Sequence, residues 1–182
     1  DFGQEVSRRI EAIAHNEPLR VCAGEFLRSS VESQYSYNFA WMSRPIIQYP
    51  QDIVAVQELI WSVRPDLVIE TGIAHGGSLI LSASMLALLD MADAIEAGTT
   101  IDPTVSQRKV LGIDIDIRAH NREAIEAHPM ASRIEMIEGS SVAADVVEHV
   151  RAIASGYQRV LVCLDSNHTH EHVLAELEAY AP

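Results

Sequence analysis

Basic residues are scarce in this 182-residue chain: 13 Lys and Arg stand against 26 Asp and Glu, a formal charge of −13. A surface that negative repels phosphate backbones, which argues against a nucleic-acid partner. The acids are scattered along the chain, as on a solvated surface. Cysteine is scarcer still, with only Cys22 and Cys163. Two thiols make no disulfide framework, and they fit a reducing, cytoplasmic compartment. Cys163 falls in the apolar run 160–164, where a thiol behaves as a small hydrophobe. No run is read as long enough for a membrane span, and the opening Asp-Phe-Gly-Gln-Glu is not a signal peptide. Internal repeats and low-complexity tracts are absent too. What remains is ordinary globular usage, 48% hydrophobic and 21% charged, in a length that suits one domain with a sizeable core.

Residues 1–50 read as an accessory segment, with helices over 5–14 and 19–30. The stretch 34–50 holds two of the seven prolines and five aromatics. Proline fixes φ and removes a donor, so an irregular arm covering the core edge is expected there. A helix then opens at Pro50-Gln-Asp52 with Asp52 as its cap and stops at Arg64-Pro65. From Asp66 onward strands and helices alternate. Strands are expected over 67–71, 110–113, 134–137 and 160–164, and helices over 78–97, 118–127, 142–154 and 170–180. Such alternation means βαβ units with right-handed crossovers: an α/β, Rossmann-like parallel sheet with helices on both faces, filling 51–182.

The run Ile69-Glu-Thr-Gly-Ile-Ala-His-Gly-Gly-Ser78 follows a buried strand and opens a helix, the context a cofactor turn needs. Gly72 permits the tight turn, Gly76 and Gly77 let a ligand approach the backbone, and Ser78 is placed to cap the helix. The dinucleotide fingerprint, with glycines at its first, third and sixth positions, does not fit this Glu-x-Gly-x-x-x-Gly-Gly pattern. Glu70 at the strand end would repel a pyrophosphate, but it suits the cationic amino-acid end of S-adenosylmethionine. Asp114 ends the next strand, where a carboxylate can accept both ribose hydroxyls. The role of His75 in the turn is left open.

Leu161-Val-Cys-Leu-Asp-Ser-Asn-His-Thr-His-Glu-His172 is the second informative segment. Asp165 stands at the carboxyl end of its strand, facing the same crevice. It is a candidate for holding a divalent cation or the sulfonium region of the cofactor. His168 remains in the loop, where an imidazole can serve as general base near neutral pH. His170 and His172 open a helix and read as exposed rather than as ligands of a three-histidine metal site.

These segments, with Pro45-Ile-Ile-Gln-Tyr-Pro-Gln-Asp52 and Arg64-Pro-Asp-Leu-Val-Ile-Glu-Thr-Gly72, resemble the cephalosporin hydroxylase / rhamnosyl O-methyltransferase family from about Trp41 onward. The resemblance implies a class I methyltransferase fold, S-adenosylmethionine, and a divalent cation, usually Mg²⁺. It places the cofactor's amino-acid end on Glu70, Gly72, Gly76, Gly77 and Ser78, its ribose on Asp114 and its adenine near Ser140. It makes Asp165 the first metal ligand and puts His168 where a base is expected. The family's remaining acidic ligands lie on the next strand, beyond Pro182. About three strands of its seven-stranded sheet are missing here, so the chain reads as a piece of a longer protein.

The implied reaction is methyl transfer to a hydroxyl of a small molecule or sugar. Its alternatives are a cephalosporin hydroxylase-like oxygenation and a non-catalytic cofactor-binding subunit. A two-histidine, one-carboxylate iron site is not evident at persuasive spacing. The sequence is compatible with a homo-oligomer and identifies no acceptor pocket.

Overall fold

The computed structural model describes residues 1–181 and divides into two compact units, Asp1–Asn38 and Phe39–Pro182. The first unit carries α1 (Phe2–Ala14) and α2 (Glu17–Glu32). Asp1 caps α1 by accepting from Gly3 N–H, and Asn16 caps α2 by accepting from Leu19 N–H, so each helix has a side-chain oxygen on an otherwise orphaned donor. A 3₁₀ turn over Tyr35–Asn38 closes this unit.

The second unit begins twelve residues earlier than composition suggests. In place of an irregular arm, 39–46 forms a hairpin of β1 (Phe39–Trp41) and β2 (Arg44–Ile46), paired Phe39 to Ile46 and Trp41 to Arg44. Met42 and Ser43 between them both take left-handed φ, as a two-residue hairpin turn requires. Pro45 is tolerated because the two-stranded ribbon has open edges. The hairpin is anchored to the core of the second unit: Ile46 is buried there, and Trp41 Nε1 donates to Ser84 Oγ at 3.0 Å.

Next comes α3 (Pro50–Val63). Its cap is Tyr49, with Pro50 opening the first turn and Asp52 inside that turn, so Asp52 is not the cap that the sequence suggests. A carboxylate there still favours the positive helix end. Arg64, left-handed, ends the helix.

Four strands, β3 (Leu67–Thr71), β4 (Lys109–Asp114), β5 (Ile134–Glu138) and β6 (Val160–Leu164), form a fully parallel sheet in the order β5-β4-β3-β6. Between them run α4 (Gly77–Ala97), α5 (Ala119–Glu126) and α6 (Ala144–Ala154), and α7 (His170–Tyr180) comes after β6. Side chains alternate across the sheet. Val68 and Val110 join Ile60, Leu79, Leu86 and Ile125 in one core layer. Leu67, Ile69, Leu111 and Ile113 join Val146 and Val150 in the other. Both faces are therefore covered, which is why β3 reads as an unbroken buried run.

By length and composition α4 is apolar enough to cross a bilayer, contrary to the sequence reading. Its burial gives another reason for that composition, because nine of its residues, including Leu79, Ile80, Leu81, Leu86 and Leu89, are buried. The strand order reverses direction beside β3, since β4 and β5 lie to one side and β6 to the other. Ligands in open α/β sheets bind outside the carboxyl ends of the strands at such a reversal.

Candidate functional site

The carboxyl ends of β3, β4, β5 and β6 deliver Gly72, Asp114, Ser140 and Asp165 to one side of the sheet. Gly72 turns with φ of +90°, and a methyl group added there would strike the backbone carbonyl of Asp165. Only glycine lets β3 and β6 part so closely. On the other side of β3, the Asp114 carboxylate reaches from the end of β4 to the turn that follows Gly72. Its Oδ2 accepts from Ile73 N–H at 2.7 Å and Ala74 N–H at 3.2 Å, and its Oδ1 from Asp116 N–H at 3.1 Å.

The rest of the turn is strapped by residues that sequence reasoning passed over. Asn121 Nδ2 donates to the Ala74 carbonyl at 2.9 Å, and Arg44 donates to the His75 carbonyl. Ala74 sits at φ of +46°, a conformation unusual for a side-chain-bearing residue, and these bonds hold it there. His75 therefore supplies its carbonyl to the scaffold.

Three reasons given from the sequence change. Gly76, at φ of +82°, is itself the N-cap of α4, so Ser78 is not. The Ser78 hydroxyl instead donates to Glu70. Gly77 is small because Pro45 and Ile46 of the hairpin occupy the space where a side chain would go, and Gly76 because Ile125 does.

Glu70 is 3% exposed. Burial, opposed by Ser78 and reinforced by the nearby Asp165 charge, pushes its carboxyl up to about 8. Burial also raises Asp165, with His168 pulling the other way. The same burial, with Glu70 and Asp165 adding repulsion, drives the Cys163 thiol up to about 12, which leaves it unreactive. Among the described residues, neither Glu70, Asp114 nor Asp165 forms a salt bridge with Arg or Lys. Asp165 meets only His168, whose Nε2 lies 3.5 Å from its Oδ1 on a largely exposed ring.

Beside Gly72 and Asp114 opens a cleft of about 170 Å³. That is below the roughly 300–1,000 Å³ of pockets for whole drug-sized ligands, so it fits a base or sugar moiety. Ser140, Ser141, Ser166 and His172 also line it. The structure thus gathers Gly72, Asp114 and Ser140 around one cleft, while Glu70, Gly76, Gly77, Ser78, Asp165 and His168 are not among its lining residues. His172, expected to be exposed, is mostly buried and points Nε2 at Ser141 and Glu176. Its i, i+4 spacing to Glu176 on α7 was the available signal. No three His, Cys, Asp or Glu side chains among the described residues converge as a metal cage.

A parallel sheet in this order, with a glycine turn after its first strand and acids at the strand ends, is the class I methyltransferase type. The chain belongs to the family described as Rhamnosyl O-methyltransferase/CmcI, whose model matches residues 33–182. A protein of Mycobacterium leprae (strain TN) named Rhamnosyl O-methyltransferase is 27% identical over 143 residues, covering 78% of this chain and 54% of that protein. One of the same name from Mycobacterium tuberculosis (strain ATCC 25618 / H37Rv) is 27% identical over 135 residues, covering 72% and 46%. The chain thus spans about half the length of the curated relatives it matches. A solved CmcI structure with Mg-SAM shares the fold at a TM-score of 0.53 and 17% identity, covering 79% of this chain and 53% of that one.

Proposed function

We propose that this chain is the cofactor-binding part of an S-adenosylmethionine-dependent O-methyltransferase that acts on a hydroxyl of a sugar or small molecule. One observation carries the reading: three acids, Glu70, Asp114 and Asp165, stand at the strand ends around the reversal, and among the described residues no Arg or Lys pairs with any of them. Such a setting repels a dinucleotide's pyrophosphate and favours a cationic ligand. The amino-acid ammonium of S-adenosylmethionine matches Glu70, and its adenosine matches the cleft beside Asp114 and Ser140. The names of the mycobacterial relatives support a sugar hydroxyl as acceptor.

Asp165 is the residue that would hold magnesium, which supplies a Lewis acid that makes a bound hydroxyl more acidic. The fit is partial, because magnesium wants six oxygens in near-octahedral order and this side chain offers at most two. Asp165 also stands 3.5 Å from the His168 ring, in the loop that follows β6. With Nε2 turned to Asp165, His168 would accept the hydroxyl proton at its other ring nitrogen, Nδ1, as the oxygen takes the methyl group and the cofactor's sulfur leaves as a neutral thioether. The rest of the turn's work is positioning: Asp114, Asn121 and Arg44 fix the backbone against which the cofactor lies. A hydroxylase reading lacks its residues, since the described His and carboxylate side chains do not meet as a facial triad.

The test is a melting-temperature series with S-adenosylhomocysteine and NAD, followed by calorimetry in buffers of different ionisation enthalpy. S-adenosylhomocysteine should raise the melting temperature and NAD should not. Binding near pH 7 should release a proton, because an ammonium beside Glu70 restores its ionised form. Tight NAD binding with none of the adenosyl compound would overturn the reading.

A further inference from the structure

Behind the cleft, Glu176 is 0% exposed on the inner side of α7. Its Oε1 accepts from Ser141 Oγ at 2.6 Å and from Ser166 Oγ at 2.6 Å. His172 Nε2 lies 3.2 Å from Ser141 Oγ and 3.4 Å from the same Glu176 oxygen. Tyr180 Oη donates to the Ser141 carbonyl at 2.5 Å. Three side chains from α7, the β5–α6 loop and the β6–α7 loop thereby surround one buried carboxylate, and Tyr180 ties down the backbone of one of them.

Burial would raise this carboxyl, but hydrogen bonds from Ser141, Ser166 and Thr71 and the nearby His172 together outweigh it and leave it below its ordinary value. It is therefore ionised at neutral pH, and an ionised carboxylate only accepts. Each serine has one hydroxyl proton to give. With both protons committed to Glu176, the two oxygens can present only lone pairs elsewhere. Both serines also line the cleft.

We propose that Glu176 is a positioning residue: by taking the Ser141 and Ser166 protons it makes that wall of the cleft a hydrogen-bond acceptor. The wall then selects a nucleobase edge that carries an exocyclic amino group over one that carries an oxo group. This rests on the reading of the cleft as the site of an adenosyl cofactor and adds the residue that enforces the choice of base. A buried hydrogen-bonding wall discriminates strongly, because the wrong edge leaves polar atoms unpaired.

The experiment compares S-adenosylhomocysteine with S-inosylhomocysteine, which exchanges the amino group for an oxo group, by calorimetry. The unsubstituted chain should bind the adenosyl compound about 100-fold or more tightly over the inosyl one. Glu176→Met removes the acceptor, frees both hydroxyls to rotate, and should cut that ratio to about tenfold or less. Glu176→Gln keeps an acceptor oxygen and should hold the ratio within about threefold of the unsubstituted value, a rescue that loss of packing alone would not predict. Ser166→Ala, in an exposed loop, leaves Glu176 in place and should lower the ratio about tenfold if the methionine variant does not fold. Comparable affinity for both compounds in the unsubstituted chain overturns the inference while leaving the cofactor reading intact. An undiminished ratio in Glu176→Met or Ser166→Ala does the same. Binding of neither compound overturns both.

Discussion

At the amino end of the sheet, Asp90 and Asp93 on α4 meet Arg64, Arg108 and Arg133. At the carboxyl end, Glu70, Asp114 and Asp165 meet no arginine or lysine. Arg108 bridges both α4 acids, at 2.5 Å to Asp90 and 2.7 Å to Asp93, while Arg133 pairs with Asp90 and Arg64 with Asp93. Burial works to raise Asp90, but hydrogen bonds from Ser106, Arg133 and Arg108 win and leave it lowered. At the other end burial wins, and Glu70 and Asp165 are raised. Acids of the same chemistry are thus charged fasteners at one end and, at the other, acids that no basic side chain meets, with burial keeping Glu70 protonated. A protein keeps carboxylates partly buried and unpaired only at a cost, and such groups mark functional sites more often than structural ones.

The sharpest way to break this contrast is to cut the fastener. Asp90→Ala leaves Arg133, whose side chain is 3% exposed, buried without its carboxylate. The loss should be about 3–5 kcal/mol in urea unfolding, because an uncompensated buried charge is left behind. Cofactor affinity measured on the remaining folded protein should hardly change. A loss under about 1 kcal/mol would mean the network is solvated and the comparison misdrawn.

At the carboxyl end the same kind of deletion should stabilise. Glu70 keeps its proton up to about pH 8 in the folded protein, against an ordinary value of 4.5. Between those values the unfolded chain releases a proton that the fold retains, so stability falls as pH rises across that window. Glu70→Gln should remove that slope and stabilise the ligand-free protein at pH 8–9 by a few kcal/mol, while weakening S-adenosylhomocysteine. Parallel stability-versus-pH curves for the variant and the unsubstituted chain would show that the Glu70 charge is met by some other group.

The contrast was half legible before the structure. The strand-end positions of Glu70, Asp114 and Asp165 follow from apolar runs that stop at an acid, and the unbroken apolar run 160–164 with the helical stretch 170–180 after it places β6 and α7. The hairpin at 39–46 was not legible. It depends on Met42 and Ser43 adopting left-handed backbone without glycine or asparagine, and proline content pointed the other way. The Arg–Asp network was hidden for a different reason, since 43 residues separate Asp90 from Arg133 and only the sheet order brings them together. Gly77 shows the remaining gap: a turn glycine looks the same in sequence whether a ligand or, as here, Pro45 fills the space beside it.

Asp114 lies between the two extremes, because its partners are backbone N–H groups rather than charges. Asp114→Ala should weaken S-adenosylhomocysteine by about 1.5–3 kcal/mol, through lost contact with the ligand and loosening of the Ile73–Ala74 turn. Asp114→Asn keeps an acceptor for one of those amides and should recover part of the loss. Equal losses in the two variants would assign the whole effect to charge.

The smallest effects on the ligand-free fold should come from Asp165 and His168, because both side chains reach solvent and their mutual contact is long, 3.5 Å. Asp165→Ala and His168→Ala should each move unfolding free energy by no more than about 0.5 kcal/mol, as surface substitutions do. Their functional effects should separate instead. A single carboxylate cannot complete an octahedral magnesium shell, so this chain should bind magnesium weakly, and under the proposed function the metal's role is tested in a protein of the relatives' full length that carries this chain and transfers methyl groups. In that protein Asp165→Ala should abolish the metal dependence. His168→Ala should lower turnover while cofactor affinity stays near its original value, because a base acts in the transition state and a ligand also in binding. If methyl transfer were as fast in excess chelator and His168→Ala were silent, the metal-assisted step would be wrong. Asp165 would then be an acid that serves the cofactor's positive charge alone, and Glu70 would no longer be the only carboxylate at this end with that task.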